Sequence, residues 1–467
     1  MCHRSRTRFA EQRRHQIEQQ GQQLKAVDFF NMLNGPAFLA TVDALLPEHR
    51  ERIYTPTVTL SMFIKQALES DRSLQKAVDD WAMQRASDGL REGSTNTAAY
   101  SKARMRLPLE TVQGLARMMG EQLCALAPNP WRWRGRSVKL MDGTGISMPD
   151  TLENQARYPQ PSSQAQGVGF PQIRLVAVMC LSTGALLDSA MGPHAGKGTS
   201  ELSLFSTLLH TLHAGDVLLA DALYCSYFVM ATLLAKGVDM VFEQNGSRIT
   251  DFRRGHRLGA RDHRVEWNKP PRPAWMTREQ YQTFPAKLTL RETDVGGRIL
   301  VTTLVNHREV HKNELLHLYN ERWHVELDLR SIKTTMGMEV LSCKAPDMVE
   351  KELHVYLLAY NMIRVLMAQA AHEAGRHPRQ LSFKHAVQLW LAWITRATAQ
   401  LSPEYLAQMI RLMAQVEVGH RHGRVEPRAR KRRPKPYSWL KESRAKARQR
   451  IIRRRSRRST QRKTAQA

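Results

Sequence analysis

The run Val217-Leu218-Leu219-Ala220-Asp221 constrains the fold more than any other stretch. It is apolar at four successive positions, bounded by Gly215-Asp216 on one side and closed by an acid on the other. So short an apolar run suits a β-strand buried on both faces, and such a strand needs a sheet with helices on each side. Ser137-Val138-Lys139-Leu140-Met141-Asp142 reads as a second strand ending on an aspartate, before the turn Gly143-Thr144-Gly145.

The segments between and around them alternate. Gln172 to Leu181 and Ala185 to Met191 form a hairpin pattern around Ser182-Thr183-Gly184. Ser200 to His213 is a helix with Leu202, Phe205, Leu208, Leu209 and Leu212 on one face, Ser226 to Lys236 is the next helix, and Asp239 to Glu243 the next strand. The order β-β-β-α-β-α-β is that of a ribonuclease H-like domain, an α/β mixed sheet flanked by helices. In that order the first and fourth strands are neighbours, so Asp142 and Asp221 meet at one sheet edge, where open α/β sheets place their ligands. Either acid alone reads as a turn residue or a helix cap. Together they repel unless a cation intervenes, and Mg²⁺, hard and oxygen-seeking, suits them.

A third acid lies in Tyr319 to Lys333, which reads as one helix stopped by Gly337. Counted from Tyr319, Arg322 falls at about 300°, Glu326 at about 340° and Lys333 at about 320° around the axis. A phenol, a guanidinium, a carboxylate and an ammonium thus share one stripe. Spacing alone leaves two readings open: an exposed face of i,i+4 ion pairs, or a grip on a phosphate beside a metal held by Glu326.

The charge balance favours a polyanion. Lys+Arg number 70 against 43 Asp+Glu, a net charge of +27, which points to nucleic acid. An anionic membrane is the weaker alternative: the longest apolar candidate, Val355 to Ala371, is interrupted by Asn361 and Arg364. The basic N-terminus has no apolar segment of a secretory signal, and the five scattered cysteines form no CxxC pair, so a reducing cytosol and no structural zinc are expected.

Residues 1–105 read as an N-terminal helical, DNA-binding region. Residues 1–25 are a polar lead, Leu60, Phe63, Ile64 and Ala67 recur at helical spacing, and a short basic helix from Ala98 ends near Pro108. That basic helix is either a DNA reader or a packing platform. Residues 106–243 and 313–372 make the two parts of the α/β core, 244–312 a β-rich insertion, 373–420 a C-terminal helical region, and 421–467 a basic tail expected to be disordered without DNA.

The chain resembles the DDE transposases of the type-four insertion-sequence family. The residues that carry the resemblance are Asp142-Gly143-Thr144, Gly215 to Asp221, and Tyr-x2-Arg-x3-Glu-x6-Lys at Tyr319, Arg322, Glu326 and Lys333; His194 to Leu202 and Pro427 to Tyr437 add to it. It covers roughly residues 30–440. Ala222 departs from it, standing where many relatives have Arg. The resemblance implies that Asp142, Asp221 and Glu326 are catalytic and hold two Mg²⁺, with Mn²⁺ as substitute, the carboxylates converging on metals about 4 Å apart. It implies phosphate contacts by Tyr319, Arg322 and Lys333. It further implies cleavage at terminal inverted repeats, strand transfer into target DNA, a hairpin intermediate and a synapsed homodimer. In the insertion, which helps hold the transposon end, Trp267 and Trp275 are candidates for stacking on an unpaired base, against the alternative of core packing. A metal-dependent nuclease without strand transfer and a non-enzymatic DNA-binding relic are the rival readings.

Overall fold

The computed structural model describes residues 53–87, 89–90, 93–194, 196, 198–396, 403–418 and 441–453. The expectations for residues 1–25 and for Pro427 to Tyr437 lie outside these. Among the described residues a nine-stranded sheet has the order β3-β2-β1-β4-β5-β9-β8-β7-β6. Its first five strands are β1 (Val138–Ser147), β2 (Gln172–Cys180), β3 (Leu186–Pro193), β4 (Val217–Ala220) and β5 (Asp239–Glu243). β2 runs antiparallel to β1 and β3 antiparallel to β2, while β1, β4 and β5 are parallel. This is the ribonuclease H-like arrangement expected from the order of elements. All four residues of β4 are buried, as a strand covered on both faces requires.

The β-rich segment is present, and it continues the same sheet. β6 (His256–Gly259), β7 (Asp262–Asn268), β8 (Lys287–Val295) and β9 (Arg298–Thr302) form a meander, and β9 joins it antiparallel to β5.

Helices α1 (Pro56–Leu68), α2 (Leu74–Ser87) and α3 (Ala98–Arg106) precede the sheet, and α4 (Leu109–Ala125) packs on β3. Thr55 caps α1, its Oγ1 accepting the Val58 N–H at 3.3 Å. The face bearing Leu60, Phe63, Ile64 and Ala67 is buried in the same apolar core as the sheet. Helix α3 packs on one face: Arg104 is buried over the Phe63 ring at 3.7 Å and donates to Cys343 Sγ at 3.3 Å. That face serves as a platform.

Between the strands stand α5 (Leu152–Arg157), α6 (Glu201–Thr207) and α7 (Tyr227–Ala235); the insertion holds α8 (Arg278–Thr283). After β9 come α9 (Lys312–Asn320), α10 (Trp323–Arg330), a π-helical turn (Ser331–Thr335) and α11 (Pro346–Glu373), then α12 (Phe383–Arg396) and α13 (Pro403–Ala414). Helix α11 is buried almost all round, and no helix of the described residues is long and apolar enough to cross a membrane. It packs mainly on α4, α1 and α13, and reaches the sheet through Asn361, which bonds Leu186 N and O.

Two expectations are corrected. Tyr319 to Lys333 is not one helix: α9 ends at Asn320, α10 starts at Trp323, and the last turn is π. Glu321 and Arg322 keep right-handed helical dihedrals, so the break is a local reset of the hydrogen-bond ladder and not a change of direction. Gly337 does end the segment, at φ +83°, where a side chain would collide with Arg72; the Gly337 carbonyl accepts Arg72 Nη1 at 2.8 Å. The second correction concerns the tail, of which residues 444–453 are helical. Arg444 docks there on Asp150 at 3.3 Å and over the Phe170 ring.

Candidate active site

The pairing register brings the two aspartates level. Leu140 of β1 is opposite Leu219 of β4. Asp142 and Asp221 each lie two residues further on, and side chains two apart on a strand share a face. Asp142 does not end its strand: β1 runs on to Ser147, paired with β2 and bridged at Ser147 to Val340, so Asp142 stands where β4 has stopped and before that bridge. Asp221 starts the turn after β4, its Oδ1 accepting the Leu223 N–H at 2.9 Å. The turn chemistry and the shared face are both real.

Glu326 comes to the same place on α10, which packs on β1. Burial, more than any other cause, pushes the Asp142 carboxyl up to about 6; Asp221 and Glu326 push the same way, while the Gly143 N–H and Arg322 oppose. The three acids are therefore electrostatic neighbours. Among the described residues no three His, Cys, Asp or Glu side chains form a ready metal-holding group, so the expected convergence of the acids on one or two metals is not preformed. Each acid has one oxygen engaged nearby: Asp142 Oδ1 takes the Gly143 N–H at 2.8 Å and Glu326 Oε1 takes Arg322 Nη2 at 2.7 Å. Local donors hold the like charges apart. The donor set is oxygen only, and fits a hard divalent cation.

The cations of the stripe line this place. Arg322 is largely buried at its side chain and bridges to Glu326. Burial works against its charge, but Tyr319, Glu326 and Asp142 outweigh it and raise its pKa. Lys333 gives a hydrogen bond to Thr144 Oγ1 at 3.1 Å. Thr144 is two residues from Asp142, hence on its face of β1.

Tyr319 and Trp267 are corrected. Tyr319 is 1% exposed and donates to Glu243 Oε2 at 3.1 Å. It ties α9 to β5 under Arg322 and is too deep to contact a phosphate. Burial, with Glu243, raises its pKa against Arg322. Trp267 is 6% exposed, gives its indole N–H to Glu292 Oε1 at 2.7 Å, and has Arg248 stacked on its ring at 3.8 Å. Its faces are occupied, so it is packing and not a base platform. Trp275 is 72% exposed, edge-on to Phe228, and remains open to a ligand. Sequence reasoning gave no role to Thr144, Glu201 or Tyr224; the available signals were that Thr144 and Glu201 lie in stretches that carry the family resemblance, and that Tyr224 follows Asp221 by three residues.

Comparison with known proteins agrees with this geometry. A family profile described as Transposase DDE domain matches residues 133–362, a span that contains all three acids and Lys333. The transposase InsG for insertion sequence element IS4 of Escherichia coli (strain K12) is 29% identical over 353 residues, 73% of this chain and 77% of that protein.

Residues 133–362 form a transposase DDE domain.

A second relative of this transposase, the putative transposase InsZ of the same strain, is 28% identical over 141 residues, covering 30% of the chain and 46% of the relative. A solved piggyBac transposase synaptic complex with hairpin DNA aligns at TM-score 0.46 and 11% identity, covering 83% of this transposase and 85% of that chain.

Proposed function

We propose that this DNA transposase cuts the strands at the ends of its own element and joins them to target DNA, with Asp142, Asp221 and Glu326 as the ligands of Mg²⁺ or Mn²⁺. The observation that carries the reading is the register of β1 on β4, which sets the two aspartates level beside Glu326. A divalent cation bound there supplies charge stabilisation to an in-line displacement at phosphorus. The chain's own residues do the rest. The three carboxylates orient the cation site. Arg322, now paired to Glu326, and Lys333, now on Thr144, offer two charged donors to the phosphate of the cleaved strand. Trp275, exposed on the β-rich extension, is available to stack on an unpaired base. The net charge of +27 holds the DNA without reading its sequence. The enzyme works as a cytosolic, DNA-associated protein, and pairing of two transposon ends implies a homodimer.

The deciding experiment is cleavage and joining on duplexes carrying the element's own terminal repeats, with Mg²⁺ and with Mn²⁺. Asp142→Ala, Asp221→Ala and Glu326→Ala should each abolish cleavage while end binding persists. Cleavage without joining of the 3′-hydroxyl end would reduce the protein to a nuclease. Binding without cleavage under any metal would make it a DNA-binding relic.

A further inference from the structure

Tyr224 is wholly buried, yet its hydroxyl has no hydrogen-bond partner of ordinary geometry. Buried hydroxyls are seldom left so without a reason. The turn that starts at Asp221 puts it there: Leu223 N–H bonds Asp221 Oδ1, and Tyr224 N–H bonds Asp221 O at 3.3 Å. The ring is set by Phe205, edge-on at 5.7 Å and 81°. Phe205 lies one turn beyond Glu201 on α6, where Ser200 caps the helix through the Ser203 N–H at 3.1 Å. Glu201 in turn lies against Gly143: a Cβ on that glycine would stand 2.6 Å from Glu201 Cδ. Only a residue without a side chain leaves room for that carboxylate beside β1.

The turn and the Glu201–Gly143 approach put the phenol in the electrostatic reach of three acids. Burial raises its pKa most, followed by Glu201, Asp221 and Asp142. Glu201 is near enough to act as an acceptor would, but the directional geometry of a hydrogen bond is not met. A buried donor that no neighbouring carboxylate takes is a donor held in reserve. A carboxylate that ligates a cation is in general oriented by a hydrogen bond from a residue behind it.

We infer that Tyr224 is a positioning residue of the active site, whose single hydroxyl hydrogen is donated to the Asp142 or the Asp221 carboxylate when these turn to bind a divalent cation, with Glu201 beside Gly143 closing the pocket. The inference rests on the proposed metal-binding role of those aspartates.

The test uses the full-length protein and Mn²⁺ alone, followed by electron paramagnetic resonance, beside thermal melting and cleavage of terminal-repeat DNA across Mn²⁺ concentrations. Tyr224→Phe keeps the ring against Phe205 and removes only the donor. It should melt within about 2 °C of the parent, bind Mn²⁺ about 10-fold more weakly, and regain cleavage as Mn²⁺ is raised. Unchanged Mn²⁺ affinity in Tyr224→Phe overturns the inference, whether melting falls or not. Asp142→Ala separates the two layers. If it loses Mn²⁺ and Tyr224→Phe does not, only the role of Tyr224 fails. If Asp142→Ala binds Mn²⁺ like the parent, the metal-site reading fails and the inference falls with it.

Discussion

Lys333 Nζ stands 3.1 Å from Thr144 Oγ1, which binds the π-helical turn to β1 two residues beyond Asp142. The stripe of charges therefore survives the break in its helix. An ideal count would put Lys333 near Glu326 on one cylinder; the π turn and the reset at Glu321 change the count, and the contact with β1 restores the neighbourhood.

Replacing Lys333 with Ala removes a hydrogen bond at a partly exposed place, worth on the order of 1 kcal/mol. Arg322→Ala frees Glu326, itself about a third exposed, from a part-buried charged hydrogen bond whose loss should cost about 1–3 kcal/mol. In the absence of DNA, Lys333→Ala should melt close to the parent and Arg322→Ala only a few degrees below it. Cleavage should fall about 100-fold, the usual effect of losing one aimed donor. A large fall in melting temperature with normal cleavage would return the stripe to a purely structural role.

Asp142 makes stability depend on pH. Its carboxyl is pushed from 3.8 up to about 6, chiefly by burial. Between those values the folded protein keeps a proton that the unfolded chain has released. Its contribution to stability therefore falls as pH rises from about 4 to about 6, and above that the fold carries a cost on the order of 3 kcal/mol. Asp142→Asn should raise the melting temperature at pH 8, leave it nearly unchanged at pH 4, and abolish cleavage. Melting curves at the two pH values check the sign.

Asp328 anchors the helix that carries Glu326. It is 1% exposed at its side chain, with Arg379 Nη1 at 2.6 Å and Arg364 also bonded to it. Two residues along α10 turn it to the side away from Glu326. Asp328→Ala leaves two buried guanidinium groups without their acid, which should cost about 3–5 kcal/mol. Urea denaturation should show the loss, and Glu326→Ala should show none of it.

The two tryptophans should part company. Trp267→Ala empties a packed site and should cost about 3–5 kcal/mol of stability. Trp275→Ala should leave melting unchanged and weaken binding to a DNA end with an unpaired base by about 1–3 kcal/mol. Equal binding of parent and Trp275→Ala to such an end would remove Trp275 from the DNA interface.

Residues 421–467 hold 20 Lys and Arg against two Glu. Their deletion should weaken binding to specific and unrelated DNA about equally and flatten the salt dependence. A deletion that cost only the preference for the element's ends would mean that the tail reads sequence.

The sequence by itself determined the order of strands and helices, because apolar runs of β4 type and the hairpin of β2 and β3 have no other low-energy reading once buried. It also singled out the three acids that the fold brings into one neighbourhood. Asp142 and Asp221 follow short apolar strands, and Glu326 shares a spacing with Arg322 and Lys333 that family resemblance supports. Tertiary structure decided the rest. Only the pairing of Leu140 with Leu219 shows the two aspartates to be level, since register is a property of two strands and not of either one. Burial was likewise decided there: Tyr319, a candidate for phosphate contact, and Trp267, left between base stacking and core packing, are both packed, while Tyr224 became a buried donor. What covers a side chain comes from distant segments, and no local pattern carries that information.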